Sequence, residues 1–286
     1  MDMGQAKICV QAMTIKKAFQ DLGPYEALKK MADIGYRAVE LSQVDMGAES
    51  VAEMKRACDE FGIEVAAISG ALDPRKEGED ALTVNPEAFI RDCRTLGARY
   101  IRIGMMPITY MASKETLQDF CRKTEEIAAM LKAEGIKLYY HNHHVEFQKV
   151  DGRYIIDLVR EWAPNVGVEL DVHWVQRGGE DPLRVIPRLA GSLDLLHLKD
   201  YKIQPFGEVA DQEGNGGFPV NYFKDCVHFA EVGEGNLDMK AIIEAGLKAG
   251  SKYLIVEQDD TYGRCPYESL RISAENLKKM GYADCF

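Results

Sequence analysis

The chain has 286 residues, 46% of them hydrophobic and 28% charged, a balance that supports a sizeable core and excludes disorder as the main state. Its 35 basic and 46 acidic residues leave a formal net charge of −11, an average field that repels a nucleic acid backbone, and no lysine or arginine block with interleaved aromatics offsets it. No apolar run approaches the roughly 20 residues that cross a bilayer, the opening Met1-Asp2-Met3-Gly4 lacks an export pattern, and seven cysteines without close pairs read as reduced thiols, so a cytoplasmic protein is expected.

The first β-rich run covers 7–11, and the Gln11-Ala12-Met13-Thr14-Ile15-Lys16 that follows has no phosphate-loop glycines. Segment 24–34 places Leu28, Met31 and Ala32 on one helical face, with Lys29, Lys30 and Asp33 outward, and Gly35 stops it before the second run at 36–40. A helix at 50–61 ends at Gly62 before the run 63–68; a polar loop at 71–85 then forms one rim of a pocket. Helix 86–96 ends at Gly97 before 99–103, and helix 114–134 ends at Gly135 before 136–140. Runs at 166–171 and 193–199 precede a glycine- and aromatic-rich stretch, 201–232, read as an insertion or lid. Helix 237–249 meets Gly250 before the eighth run, 253–257.

Five helix-Gly-strand junctions indicate one repeated βα unit. Eight such units fit a closed α/β barrel, the (β/α)8 TIM fold, in one domain over 1–286. An open doubly wound sheet is the competitor, and the absence of GxGxxG and GxxxxGK[ST] counts against it.

In such a barrel the chemistry gathers where the strands end. Glu40 closes the second run, either as an inward carboxylate or as a surface charge or helix cap. His141 and His143 are two apart, so an extended backbone projects both to one side; the other reading is a hydrogen-bonded loop cluster. Asp171 ends the sixth run with Glu169 two residues before it and His173 two after. In the seventh, His197 and Lys199 share one parity and Asp200 takes the other. Glu257 follows an apolar run, where a carboxylate is costly unless paired, hydrogen-bonded or bound to a cation. Asp259 and Asp260 read as solvated loop acids. No HExxH, CxxC or EF-hand spacing is present, so a metal site rests on convergence of separate strands. Mixed oxygen and nitrogen donors suit one divalent cation from the set Mn²⁺, Mg²⁺, Co²⁺ and Zn²⁺ without choosing among them; Mn²⁺ is the ion expected.

Together Tyr140-His141-Asn142-His143 with Glu146-Phe147, Glu169-Leu170-Asp171, His197-Leu198-Lys199-Asp200, the 229–238 segment and Val256-Glu257-Gln258-Asp259 resemble the xylose isomerase-like TIM barrels, which include sugar phosphate isomerases and epimerases, ketose 3-epimerases and inosose dehydratase. The resemblance implies a divalent ion held by Glu146, Asp171, His197 and Glu257. His141 stands nearer to where ketose epimerases carry their first glutamate, so His141 or His143 is the alternative ligand, or the base while Glu146 ligates. Those epimerases also use a histidine three residues after the metal aspartate, where this chain has Trp174, with His173 one earlier.

The implied reaction is proton removal from a carbon next to a carbonyl, with Glu257, His143 and Glu146 as catalytic groups, and with Glu40, His141, Trp174, Lys199 and Asp200 holding substrate hydroxyls or excluding water. That is a sugar or keto-sugar isomerase or epimerase; the alternatives are a dehydratase or lyase on an inosose or keto sugar and a noncatalytic carbohydrate-binding barrel. A related DNA-repair hydrolase ranks third among the enzymes on charge. The expected partner is a small sugar, keto sugar or inosose, with neither nucleic acid nor membrane, and self-association is left open.

Overall fold

The computed structural model describes residues 6–204 and 226–286. Eight parallel strands close a barrel in chain order: β1 (Lys7–Gln11), β2 (Ala38–Leu41), β3 (Glu64–Ser69), β4 (Tyr100–Ile103), β5 (Lys137–His141), β6 (Gly167–Asp171), β7 (Leu195–Leu198) and β8 (Tyr253–Val256), with β8 pairing back onto β1. The strands are apolar almost without interruption because one face meets the barrel interior and the other the surrounding helices; all four residues of β2, β4, β7 and β8 are buried.

The helix-Gly-strand junction works as a stop signal. Gly62 and Gly97 take φ of 64° and 74°, and their N–H groups return to the carbonyls of Cys58 and Cys93. This left-handed geometry disfavours a Cβ and turns the chain from helix into strand. The helices it ends are Ala48–Phe61 and Pro86–Leu96, the first starting two residues earlier than expected.

Inside the barrel, side chains alternate in layers. The lower layer holds Cys9, Ala38, Ala66, Ala67, Tyr100, Tyr139, Leu195, Tyr253 and Ile255. Small alanines on β2 and β3 leave room for tyrosines on β4, β5 and β8, and Tyr100 packs edge-on against Tyr139 and Tyr253. Below them Asp194 accepts hydrogen bonds from Tyr100 at 2.9 Å, Lys137 at 3.1 Å and Lys252 at 3.2 Å. This closes the bottom and leaves the other end to polar groups.

Three departures from the expected pattern bear on the site. A register shift between β2 and β3 falls at Val39/Glu40, and β2 begins two residues later than the apolar run suggested. After Asp171 the chain enters the helix Val172–Arg177, capped by the Asp171 carboxylate on the Trp174 N–H at 3.1 Å, so His173 is helical rather than part of a strand. The stretch expected as an insertion opens as an antiparallel ribbon, Asp200–Ile203 with Val227–Ala230; the rest of the lid expectation, 205–225, lies outside the described residues. Among the described residues no helix is long and apolar enough to cross a membrane.

Candidate metal centre

His141, Asp171, His197 and Glu257 converge from the ends of β5, β6, β7 and β8, each offering one ligand atom within 4.8 Å of the others. Ligands held about 2.0–2.3 Å from one ion stand up to roughly 4.5 Å apart, so this spacing fits a single divalent cation. All four residues are buried, and both His141 ring nitrogens and Asp171 Oδ2 lack a hydrogen-bond partner. Buried polar atoms in that condition are costly unless a ligand completes them. The donors are two imidazoles and two carboxylates, a set that can hold a divalent cation.

Local electrostatics act on these groups in different directions: burial opposes the His197 charge, but Glu169, Glu40 and Glu257 outweigh it and hold the imidazole well above its usual pKa. Burial drives the His141 imidazole far below its usual pKa, and the neighbouring His197 and Arg102 act in the same direction, leaving it neutral. Burial would raise Glu257, but Lys199 and His197 outweigh it and hold the carboxylate well below the usual range. Burial pushes Asp171 up to about 7 despite Lys199 nearby. The Lys199 ammonium lies 3.6 Å from Asp171 Oδ2, 3.5 Å from Glu257 Oε1 and 2.7 Å from Asp259 Oδ1. Burial opposes its charge, but those three acids raise its pKa.

Aromatic side chains form the wall above Lys199. Its ammonium stands 5.0 Å from the Trp174 ring centre and 5.3 Å from that of Phe229. His173 packs between Trp174, Tyr201 and Phe229 at centroid distances of 4.7, 5.2 and 5.1 Å. His143 lies 4.9 Å from the His141 ring and 5.4 Å from Trp174. Burial and the Lys199 charge lower His143 to about 4 and His173 to about 3, so both are neutral at pH 7. His143 Nδ1, both His173 ring nitrogens and Trp174 Nε1 have no partner, which leaves polar atoms beside the cluster for a hydroxylated ligand.

Three expected site residues lie elsewhere. Glu146, read as the first ligand, sits on the 3-10 turn Val145–Phe147 outside the cluster. One carboxylate oxygen accepts from Tyr140 Oη and the other from the His143 N–H at 2.7 Å, so it braces the loop that carries the histidines; His141 is the residue of this loop that joins the cluster. Glu40, expected to hold substrate, is fully buried against Arg102 and His197. Asp200 turns away from the cluster and accepts four backbone N–H bonds, from Tyr201, Gly233, Gly235 and Leu237, which seat the loop after the ribbon.

Four further residues were not anticipated. Arg102 contacts Glu40 and Glu169 inside the barrel, and Asn142 accepts from the Asp171 N–H at 2.9 Å. Gln11 donates to Glu257 Oε1 at 3.3 Å, and Asp259, expected as a solvated acid, pairs with Lys199. Arg102 had a sequence signal: an arginine within Tyr-Ile-Arg-Ile, with the parity of the interior Tyr100.

A closed parallel barrel with a His and carboxylate cluster at its strand ends defines a class, and the chain belongs to the xylose isomerase-like TIM barrel family, which it matches over residues 28–280. It is similar to the solved structure of a sugar phosphate isomerase/epimerase from Parabacteroides distasonis ATCC 8503, with 20% identity and a TM-score of 0.74 over 98% of this chain and 95% of that one. It is also similar to 3-keto-D-glucoside 4-epimerase from E. coli, at 17% identity and TM-score 0.65 over 96% and 100%, and to the probable 3-DHS dehydratase AsbF from Bacillus anthracis, at 14% and 0.67 over 95% and 98%. At these identities the likeness is one of fold. No curated protein sequence matches the chain significantly.

Proposed function

We propose that the protein is a divalent-metal-dependent isomerase or epimerase of a sugar or keto sugar. The observation that carries this reading is the buried quartet of His141, Asp171, His197 and Glu257, whose donor atoms converge, those of His141 and Asp171 Oδ2 without partners, beside further unpartnered polar groups. These four would hold the ion, with Mn²⁺ favoured among ions that accept mixed nitrogen and oxygen donors. When bound, the ion supplies several kcal/mol of charge stabilisation to oxygens next to the reacting carbon.

The protein's own groups do the rest. Glu257, kept ionised, takes the proton from the carbon next to the carbonyl. His143, neutral and with a free Nδ1, is the second group that relays or returns it. Lys199 fixes the charges of Asp171 and Glu257 and faces substrate oxygens, while Trp174 and His173 shape the wall and exclude water.

The test strips and restores divalent ions and incubates the protein with keto sugars and inososes in D₂O, followed by NMR. Metal-dependent deuterium uptake with formation of an isomer is expected, and Glu257→Gln should abolish it without changing side-chain size. Loss of water from the substrate would move the reading to a dehydratase. Unchanged, fully protonated substrates across the panel would refute proton-transfer chemistry.

A further inference from the structure

Beneath the quartet lies a second buried group made of Glu40, Glu169 and Arg102, and His197 belongs to both. Its contacts form a closed ring. Arg102 Nε meets Glu40 Oε1 at 2.8 Å and Glu169 Oε2 at 3.1 Å. The remaining oxygens, Glu40 Oε2 and Glu169 Oε1, lie 3.3 and 3.4 Å from His197 Nε2. Each carboxylate therefore gives one oxygen to the guanidinium and one to the imidazole. The Glu169 contacts are close in distance but not aligned as hydrogen bonds, so Glu40 makes the directed bonds and Glu169 closes the other side. Gly104 keeps this arrangement open, since a Cβ there would fall on Arg102 Nη1.

The other His197 nitrogen, Nδ1, faces Glu257 Oε2 at 2.5 Å, on the side of the quartet. An imidazole that ligates carries its proton on the nitrogen turned away from the ion. Glu40 Oε2 takes the Nε2 hydrogen bond, Glu169 Oε1 adds a second negative oxygen beside it, and together they disfavour a ring flip that would turn a C–H toward them. The guanidinium occupies the space between the two acids, so the lower group acts as a support rather than a second ion site.

We infer that Glu40, Glu169 and Arg102 are positioning residues that orient the His197 ring, with Nε2 toward the two carboxylates and Nδ1 toward the quartet, where it serves the divalent ion. This rests on the reading of the quartet as a metal centre. Outer partners of ligating histidines typically contribute about 10- to 100-fold to metal affinity.

Two measurements test it. Mn²⁺ titration, read by EPR of the free aqua ion, compares the full chain with Glu40→Gln, Gly104→Ala and Glu64→Gln. Glu40→Gln keeps the size but loses the charge, and Gly104→Ala displaces Arg102 without removing an ionisable group. Glu64→Gln alters a carboxylate at the opposite end of the barrel, where it contacts Lys7 and Tyr253. Glu40→Gln should weaken Mn²⁺ roughly 10- to 100-fold, Gly104→Ala should also weaken it, and Glu64→Gln should leave it unchanged. With Zn²⁺ bound in place of paramagnetic Mn²⁺, ring-¹⁵N histidine NMR should show His197 bound through Nδ1 with its proton on Nε2 in the wild type, and loss of that single form in Glu40→Gln.

Wild-type protein that binds no Mn²⁺ would overturn the metal centre itself. Wild-type binding that survives Glu40→Gln, or that Glu64→Gln weakens equally, would overturn only the positioning role. If Glu40→Gln does not fold, Gly104→Ala decides: weaker binding supports the role and unchanged binding refutes it.

Discussion

Replacing His141 by Ala and, separately, Glu146 by Gln distinguishes the two ways of completing the metal centre. A ligand at about 100 times its Kd stabilises the folded state by about 2.7 kcal/mol. Unfolding entropy runs near 2.1 cal/mol/K per residue, so a chain of 286 residues should gain about 4–5 °C in Tm from that energy. His141 contributes one of only four donor residues. If its loss weakens the ion about 100-fold, the same ion concentration adds only about 0.4 kcal/mol, under 1 °C. Glu146→Gln should lower the baseline Tm, because it disturbs the bonds to Tyr140 Oη and the His143 N–H, yet retain the ion-dependent rise. Thermal melts of both variants with chelator and with added Mn²⁺ give the comparison. A full rise in His141→Ala and none in Glu146→Gln would refute the assignment of His141.

Other perturbations probe the barrel that holds the centre. Arg102→Met leaves Glu40 and Glu169 without their cation and should cost about 3–5 kcal/mol, measurable by urea unfolding; a loss under about 1 kcal/mol would contradict a buried ion-pair network. At Gly167 an added Cβ falls on the Tyr139 ring, so Gly167→Ala should lose about 1–3 kcal/mol through overpacking, and unchanged stability would show that the tyrosine layer yields. At Asp194, burial raises the carboxyl, but bonds from Lys137, Tyr139, Tyr100 and Lys252 outweigh it and depress its pKa. An acid depressed on folding stabilises above its unfolded pKa of about 3.9 and loses that contribution as pH falls through the folded value. Asp194→Asn should therefore melt lower than wild type at pH 7, with the gap closing below about pH 4; a constant gap from pH 7 to pH 3 would oppose this account.

Much of the centre was legible because barrel strands alternate with a period of two. Tyr139 and His141, Leu195 and His197, and Ile255 and Glu257 are successive inward positions on their strands, the first of each pair in the tyrosine layer and the second at the mouth. Asp171 and Glu257 could be read because each ends an apolar run, and His197 because it shares its parity with Lys199 within one. The same step leads from Cys9 to Gln11, from Ala38 to Glu40 and from Tyr100 to Arg102, and it populates the supporting group. Arg102 is hard to read from sequence because an arginine flanked by apolar residues in a short strand needs buried acids from other strands, here Glu40 and Glu169, to be accommodated.

Glu146 and His141 show where spacing along the chain gives out. A carboxylate five residues past a strand end can reach a metal only if the chain stays extended or loops back over the mouth. Here β5 stops at His141, the 3-10 turn Val145–Phe147 follows, and Tyr140 Oη with the His143 N–H captures both Glu146 oxygens. That capture depends on Tyr140 pointing outward from the barrel, where its ring packs against Phe120 of the helix Lys114–Ala133 and its hydroxyl accepts from Met106 N–H. A long-range contact therefore sets which of the two side chains joins the buried cluster, a matter that local sequence leaves open. The acid fixes the loop, and the histidine before it takes the position from which an ion can be held.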